Sequence, residues 1–426
     1  MYFTVIKNQF KFIILILIIF LITFIHNNIL GVKDRIYKKY PNIRIELRNK
    51  AIKLVSKNTL PENLYNDYNV KFLPKTQFLK LNLKKKKLIF SDNYYEKHPY
   101  HWFQNSFYIE TISDKIIITN YLGEIYYGKI ANLKDNQLGK LPLKEINSNL
   151  SLHRVLDTHM YNNRFYVSYI GGKINGCKKL NIAVAEINFK KLNFENFFKS
   201  KECGKYLQGG RMFFYNHKNI DGLLFSTSDQ IPDIIDNKPQ SIESIFGKIL
   251  FIELSSKKYS IFSIGHRNIQ GLYVSNDVIL TTEHGPRGGD EINKIIFNKN
   301  YGWPIASYGE KYSIQNPRQL SYSSSHSSYG YQEPIYSYVP SIAPSEIIKL
   351  PNSFSKIFQN NFLLSTLAER HLHRIKFNNN YTRVLFDEKI YIGERVRDIK
   401  FIDELSAVIL AFEEKSEIGI LTIKKK

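Results

Sequence analysis

Cysteine is almost absent from this chain, whose 426 residues hold two, Cys177 and Cys203. A cysteine-based zinc site or a disulfide framework needs more, so neither is supported. The pair leaves two readings open: one bridge closing a loop of moderate size in an oxidising compartment, or two buried thiols. Helical periodicity is scarcely seen after residue 60, which argues against a helical bundle. Acidic residues are also short, 38 Asp and Glu against 60 Lys and Arg, leaving a formal charge of +22. The lysines are strewn along the whole chain, and no zinc-finger spacing or RNP sequence is present, so the excess does not read as a nucleic-acid surface. A general attraction to anionic lipid stays open.

What the chain has in quantity is strand-forming side chain. Aromatics make up 14% of it, with 29 Tyr and 29 Phe, enough to build a β core. From about residue 71 onward, short apolar or alternating runs are separated by Asn, Asp, Gly and Lys clusters, as at 106–112, 115–119, 124–129, 164–171, 180–188, 222–227 and 249–254. Further runs at 258–262, 278–282, 361–365, 371–377, 406–412 and 418–423 continue the series. Close-spaced strands without helices mean a sandwich, barrel or propeller, and a stretch this long favours radial repetition over one sandwich.

The N-terminus differs. Residues 12–25 are an apolar run preceded by Lys7 and Lys11, with no acidic residue before it. It is shorter than the roughly 20 residues of a comfortable span, but no small-x-small cleavage site follows. The expectation is an uncleaved signal anchor over 1–30, a stalk over 31–70 and the β domain over 71–426, held on the periplasmic side of a membrane.

The chemistry-bearing residues concentrate between Gly265 and Gly309. Arg267 and Asn268 place a fixed cation beside an amide, which suits an anionic or carbonyl-rich ligand, or simply a turn between strands. Gly285, Pro286, Gly288 and Gly289 force sharp turns just before Asp290 and Glu291, and carbonyls beside carboxylates are what a hard cation such as Ca²⁺ requires; a solvated acidic turn is the alternative. Asn300-Tyr301-Gly302-Trp303-Pro304 reads by default as a corner with a buried indole.

In this order and spacing, together with E-P-I-Y-S-Y-V-P-S-I-A-P-S at 333–345 and E-R-V-R-D at 394–398, these pieces resemble the glucose/sorbosone dehydrogenase family. The resemblance covers about residues 150 to 425. It implies an all-β, six-bladed β-propeller that binds pyrroloquinoline quinone (PQQ) and Ca²⁺ at the mouth of its axis. It implies that Arg267 and Asn268 contact the quinone, that Arg395 and Arg397 hold its carboxylates, and that Tyr312 adds a contact. For Ca²⁺ it implies the Glu291 carboxylate and Tyr301 carbonyl, or the Gly285 and Pro286 carbonyls. The implied substrate is a sugar or alcohol, and the implied electron acceptor a cytochrome or a quinone.

The pattern breaks on the reacting side. The family's histidine base falls on Leu207, the acidic residue that can precede it on Tyr206, and the cofactor-pairing lysine within Leu367-Ala368-Glu369-Arg370. No glutamine between Leu138 and Tyr206 matches the family's substrate-side glutamine. Leucine accepts no proton. His159, His284, His371 and His373 show no aim at the axis in the sequence. A non-catalytic propeller that binds a glycan, a partner protein or PQQ itself is therefore the second reading, and restoring histidine at Leu207 is expected to separate the two.

Overall fold

The computed structural model describes residues 76, 79–88, 106–134, 139–174, 177–204, 207–229, 237–311, 322, 324–414 and 416–424, all within one compact unit of the chain. The expected anchor and stalk, with Tyr206 and Tyr312, lie outside the described residues. Among those described, no helix is long and apolar enough to cross a membrane.

The strands form six sheets, each a blade. The innermost strands, one per blade in chain order, are Phe107–Ile112, Arg154–Tyr161, Gly209–His217, Ile269–Val274, Pro344–Lys349 and Val396–Ile402. Each touches the next and the last touches the first, closing a ring around a central axis. Blade 6 is completed from the other end of the chain: Leu81–Leu88 pairs antiparallel with Glu417–Ile423, from Leu81 opposite Ile423 to Lys87 opposite Glu417. The fold is the expected six-bladed propeller.

Local chemistry drives each blade. Asn162-Asn163 and Lys218-Asn219 both carry positive φ between paired ends, Tyr161 with Arg164 and His217 with Ile220, which makes them two-residue turns of the kind whose twist matches a hairpin. There is no single core. Six apolar clusters lie one at each blade-to-blade interface, for example Leu156, Leu207, Met212 and Phe246 between blades 2 and 3. Most strands are thus buried on both faces and read as apolar runs rather than clean alternation.

The innermost strands of blades 2 to 6 are absent from the strands read in the sequence. They share one irregularity: the register slips near the start of each, between Val155 and Asp157, Gly209 and Met212, Ile269 and Gly271, Pro344 and Ile347, and Val396 and Asp398. A bulge there re-aims side chains. It turns Leu156, Gln270 and Arg397 toward the mouth of the axis. Cys203 is disulfide-bonded, which rules out the reading of two free thiols.

Candidate functional site

The end of the axis where the inner strands begin opens into a cavity of about 950 Å³. Arg154 enters it from blade 2, Gln208 from the loop before blade 3, Gln270 from blade 4, and Arg395 and Arg397 from blade 6. Three guanidiniums therefore face one space. Two of them are fixed by one carboxylate: Glu413 Oε2 accepts from Arg395 Nε at 2.7 Å, and Oε1 accepts from Arg397 Nε at 3.0 Å and from Arg397 Nη2. Burial opposes ionisation of Glu413, but Arg397 and Arg395 outweigh it and hold the carboxyl below the usual range. Arg154 donates Nη2 to the Leu207 carbonyl at 2.6 Å, while its buried Nε has no partner among the described residues. Glu414 Oε1 stands 4.0 Å from Arg395 Nε, so among the described residues three guanidiniums meet two carboxylates, and the remaining positive charge attracts an anion with several acceptors, for which guanidinium forks are suited.

Amides line the same mouth. Asn268 Nδ2 donates to Gln208 Oε1 at 2.7 Å, and Gln270 Nε2 donates to Asn268 Oδ1 at 2.9 Å. Arg397 Nη1 donates to Gln270 Oε1 at 2.9 Å, which ties this chain of amides to the guanidiniums. Asn268 thus positions two glutamines that reach the cavity.

Arg267 takes a different direction from its neighbour. It lines a smaller cavity, about 240 Å³, with Glu283, Gly285, Glu291, Tyr301 and Trp303. Its guanidinium lies 5.3 Å from the centroid of the Trp303 ring and donates Nη1 to the His284 carbonyl at 2.8 Å. Glu291 is pushed well above the usual carboxyl range by burial and then by the charge of Glu283. Of the residues expected around Ca²⁺, Gly285, Glu291 and Tyr301 meet here and Pro286 is not among the lining residues. The Tyr301 hydroxyl is committed elsewhere, donating to the Lys294 carbonyl at 2.6 Å. Among the described residues no three His, Cys, Asp or Glu converge as metal ligands.

Two expectations are corrected. Leu207 does not face the mouth: it is buried between blades 2 and 3 with Leu156 and Phe246, and Gln208 is the residue that turns inward. Histidine at 207 would enter an apolar interface. Conversely, His284 does reach the axis, lining both cavities. Its Nε2–H donates to the Pro344 carbonyl at 2.7 Å, so Nδ1 is the acceptor, and it has no partner among the described residues. Burial lowers its proton affinity, keeping the ring neutral. His373 is held between Glu369 and Asp387, at 2.6 and 2.8 Å.

Comparison with known proteins decides the family. The model of the Glucose / Sorbosone dehydrogenase family matches residues 103–419. The chain belongs to that family. It is 29% identical over 203 residues to the aldose sugar dehydrogenase YliI of Escherichia coli, a match covering 47% of this chain and 50% of that protein. The curated relatives it matches first are covered over a third to a half of their own length. Among solved structures, the soluble aldose sugar dehydrogenase of Escherichia coli in its apo form superposes with a TM-score of 0.65 at 18% identity, covering 81% of this chain and 100% of that one. The PQQ-bound aldose sugar dehydrogenase of Streptomyces coelicolor gives 0.56 at 17% identity, covering 75% and 95%. At these identities both report the shared fold.

Proposed function

We propose that the protein is a PQQ-dependent dehydrogenase that oxidises a sugar or alcohol, with the mouth of the propeller as its active site. The carrying observation is the trio of Arg154, Arg395 and Arg397 facing one space, with Glu413 and Glu414 the two carboxylates set against them among the described residues. PQQ is a tricarboxylate, and this set has the charge and fork geometry to hold it. When bound, PQQ supplies the hydride acceptor. Gln208 and Gln270, oriented by Asn268, are placed to bind polar edges of cofactor or sugar. Nδ1 of His284, with its tautomer set by the Pro344 carbonyl, is the group that takes the hydroxyl proton. In the adjacent cavity the Glu291 carboxylate with the Gly285 and Tyr301 carbonyls offers oxygen donors suited to Ca²⁺, and a buried carboxylate with raised proton affinity is one short of positive charge. On this reading residues 12–25 tether the domain on the periplasmic side of the membrane, and electrons leave to a cytochrome or a quinone.

The second reading, a propeller that binds its ligand without oxidising it, rests on leucine at the family's base position. Reconstitution with PQQ and Ca²⁺, followed by dye-linked oxidation over a panel of aldoses and alcohols, separates the two. Saturable PQQ binding with substrate-dependent dye reduction supports the dehydrogenase. PQQ that binds but is reduced by no substrate leaves the binding role.

A further inference from the structure

The axis holds a second chamber beyond the mouth. Arg211, on the inner strand of blade 3, reaches Asp157 of blade 2 at 3.0 Å, Glu346 of blade 5 at 2.7 Å and Asp398 of blade 6 at 3.5 Å. Its Nη2 also donates to the Arg397 carbonyl at 3.2 Å, so this hub sits directly behind the mouth. Residues further along the same six inner strands line a partly open cavity of about 480 Å³ to which every blade contributes.

Its charge runs against that of the whole chain. In a protein of net charge +22, this chamber gathers Glu110, Asp157, Glu346 and Asp398 against Arg211 and Lys400. His159 adds nothing, because burial drives its pKa down to about 3 and leaves the ring neutral. Tyr273, the other titratable group on the wall, is pushed further from ionisation by burial. Two carboxylates are thus unmatched, and buried unmatched charge is costly.

The individual groups show where the mismatch lies. Glu110 Oε2 accepts from Lys400 Nζ at 2.8 Å, while Oε1 has the neutral His159 ring 3.9 Å away. Thr158 lines the chamber, is 4% exposed, and its hydroxyl has no partner among the described residues. Burial raises Glu110 to about 7 and Glu346 to about 8, outweighing the opposite pull of Lys400 and Arg211.

The oxygens do not converge as metal ligands among the described residues, so a compact metal ion is a poor match. The rest of the wall is apolar or aromatic, from Phe213, Leu272, Tyr273 and Ile348. Such a wall suits carbon and the face of an ammonium group. We propose that this chamber binds a short aliphatic diamine, its two ammonium groups meeting the two unmatched carboxylates and its carbon chain lying on the apolar wall. The site is separate from the mouth and does not depend on the redox reading.

The test is calorimetric titration of the full chain with 1,4-diaminobutane at pH 8 and constant ionic strength, with butylamine and KCl as comparison probes. Saturable one-site binding of the diamine, weaker binding of butylamine and none of potassium is the expected pattern. Glu110→Gln should weaken the diamine on the order of tenfold or more. Ile348→Lys, which supplies a resident ammonium from a partly exposed wall position, should abolish binding while the protein still melts cooperatively. No diamine binding, equal response to KCl, or affinity unchanged in both variants overturns the proposal.

Discussion

Replacing Glu413 with glutamine tests the electrostatic design of the mouth. Glu413 is 1% exposed and accepts from Arg395 Nε, Arg397 Nε and Arg397 Nη2, with Ser106 Oγ donating at 3.1 Å. Glutamine keeps the volume but removes the carboxylate that both guanidiniums share and turns an NH₂ toward one of them. Breaking a buried pair from one side costs about 3–5 kcal/mol, a large share of the roughly 5–15 kcal/mol that keeps a domain folded. Urea unfolding at pH 7 should show that loss as a lower midpoint with an unchanged slope. The pH dependence carries an independent sign. The folded-state pKa of Glu413 is depressed, so its contribution is full above the unfolded value of about 4.3 and fades as pH falls through the folded value. The gap between wild type and Glu413→Gln should therefore narrow on acidification. A gap under about 1 kcal/mol at pH 7 would refute the pairing, as would a gap that stays constant into acid.

Leu207→His should lower stability by about 3 kcal/mol and create no dye-linked activity, because the imidazole enters the interface between blades 2 and 3; a gain of oxidation would show that position 207 can reach the mouth. On the dehydrogenase reading, His284→Gln should cut kcat by about 10²–10⁴-fold with PQQ affinity near wild type in fluorescence titration, and unchanged kcat would remove His284 as the proton acceptor. Glu346, raised to about 8 by burial, holds its proton more tightly folded than unfolded, so it costs stability as pH climbs from about 4 toward 8. Glu346→Gln should flatten the decline in melting temperature between pH 5 and 8, and an equally steep decline in the variant would contradict this.

The second strand of every blade and the third of most were legible in the sequence because apolar runs and turn residues mark them locally. The inner strands of blades 2 to 6 were not, since they carry Asp157, His159, Arg211, Gln270, Glu346 and Arg397, which break any apolar pattern, and each inserts a bulge that shifts the alternation. The site divided along the same line. Arg395 and Arg397 were readable from a motif, as were Gly285, Glu291 and Tyr301. The hub at Arg211 was hidden, because its partners lie 54 residues away at Asp157 and on two further blades, and Glu110 meets Lys400 across 290 residues. His284 was missed for another reason: its aim depends on the Pro344 carbonyl, supplied by the neighbouring blade.

The seam in blade 6 has a mechanical consequence. Lys424 N donates to the Lys80 carbonyl at 2.9 Å just beyond the Leu81–Ile423 pair, so both ends of the propeller chain leave the same edge side by side. A pull between them loads one rung at a time, as a zipper opens, rather than all rungs together in shear. The ring is therefore weakest toward tension between its own ends, and tethering them together would lock it shut.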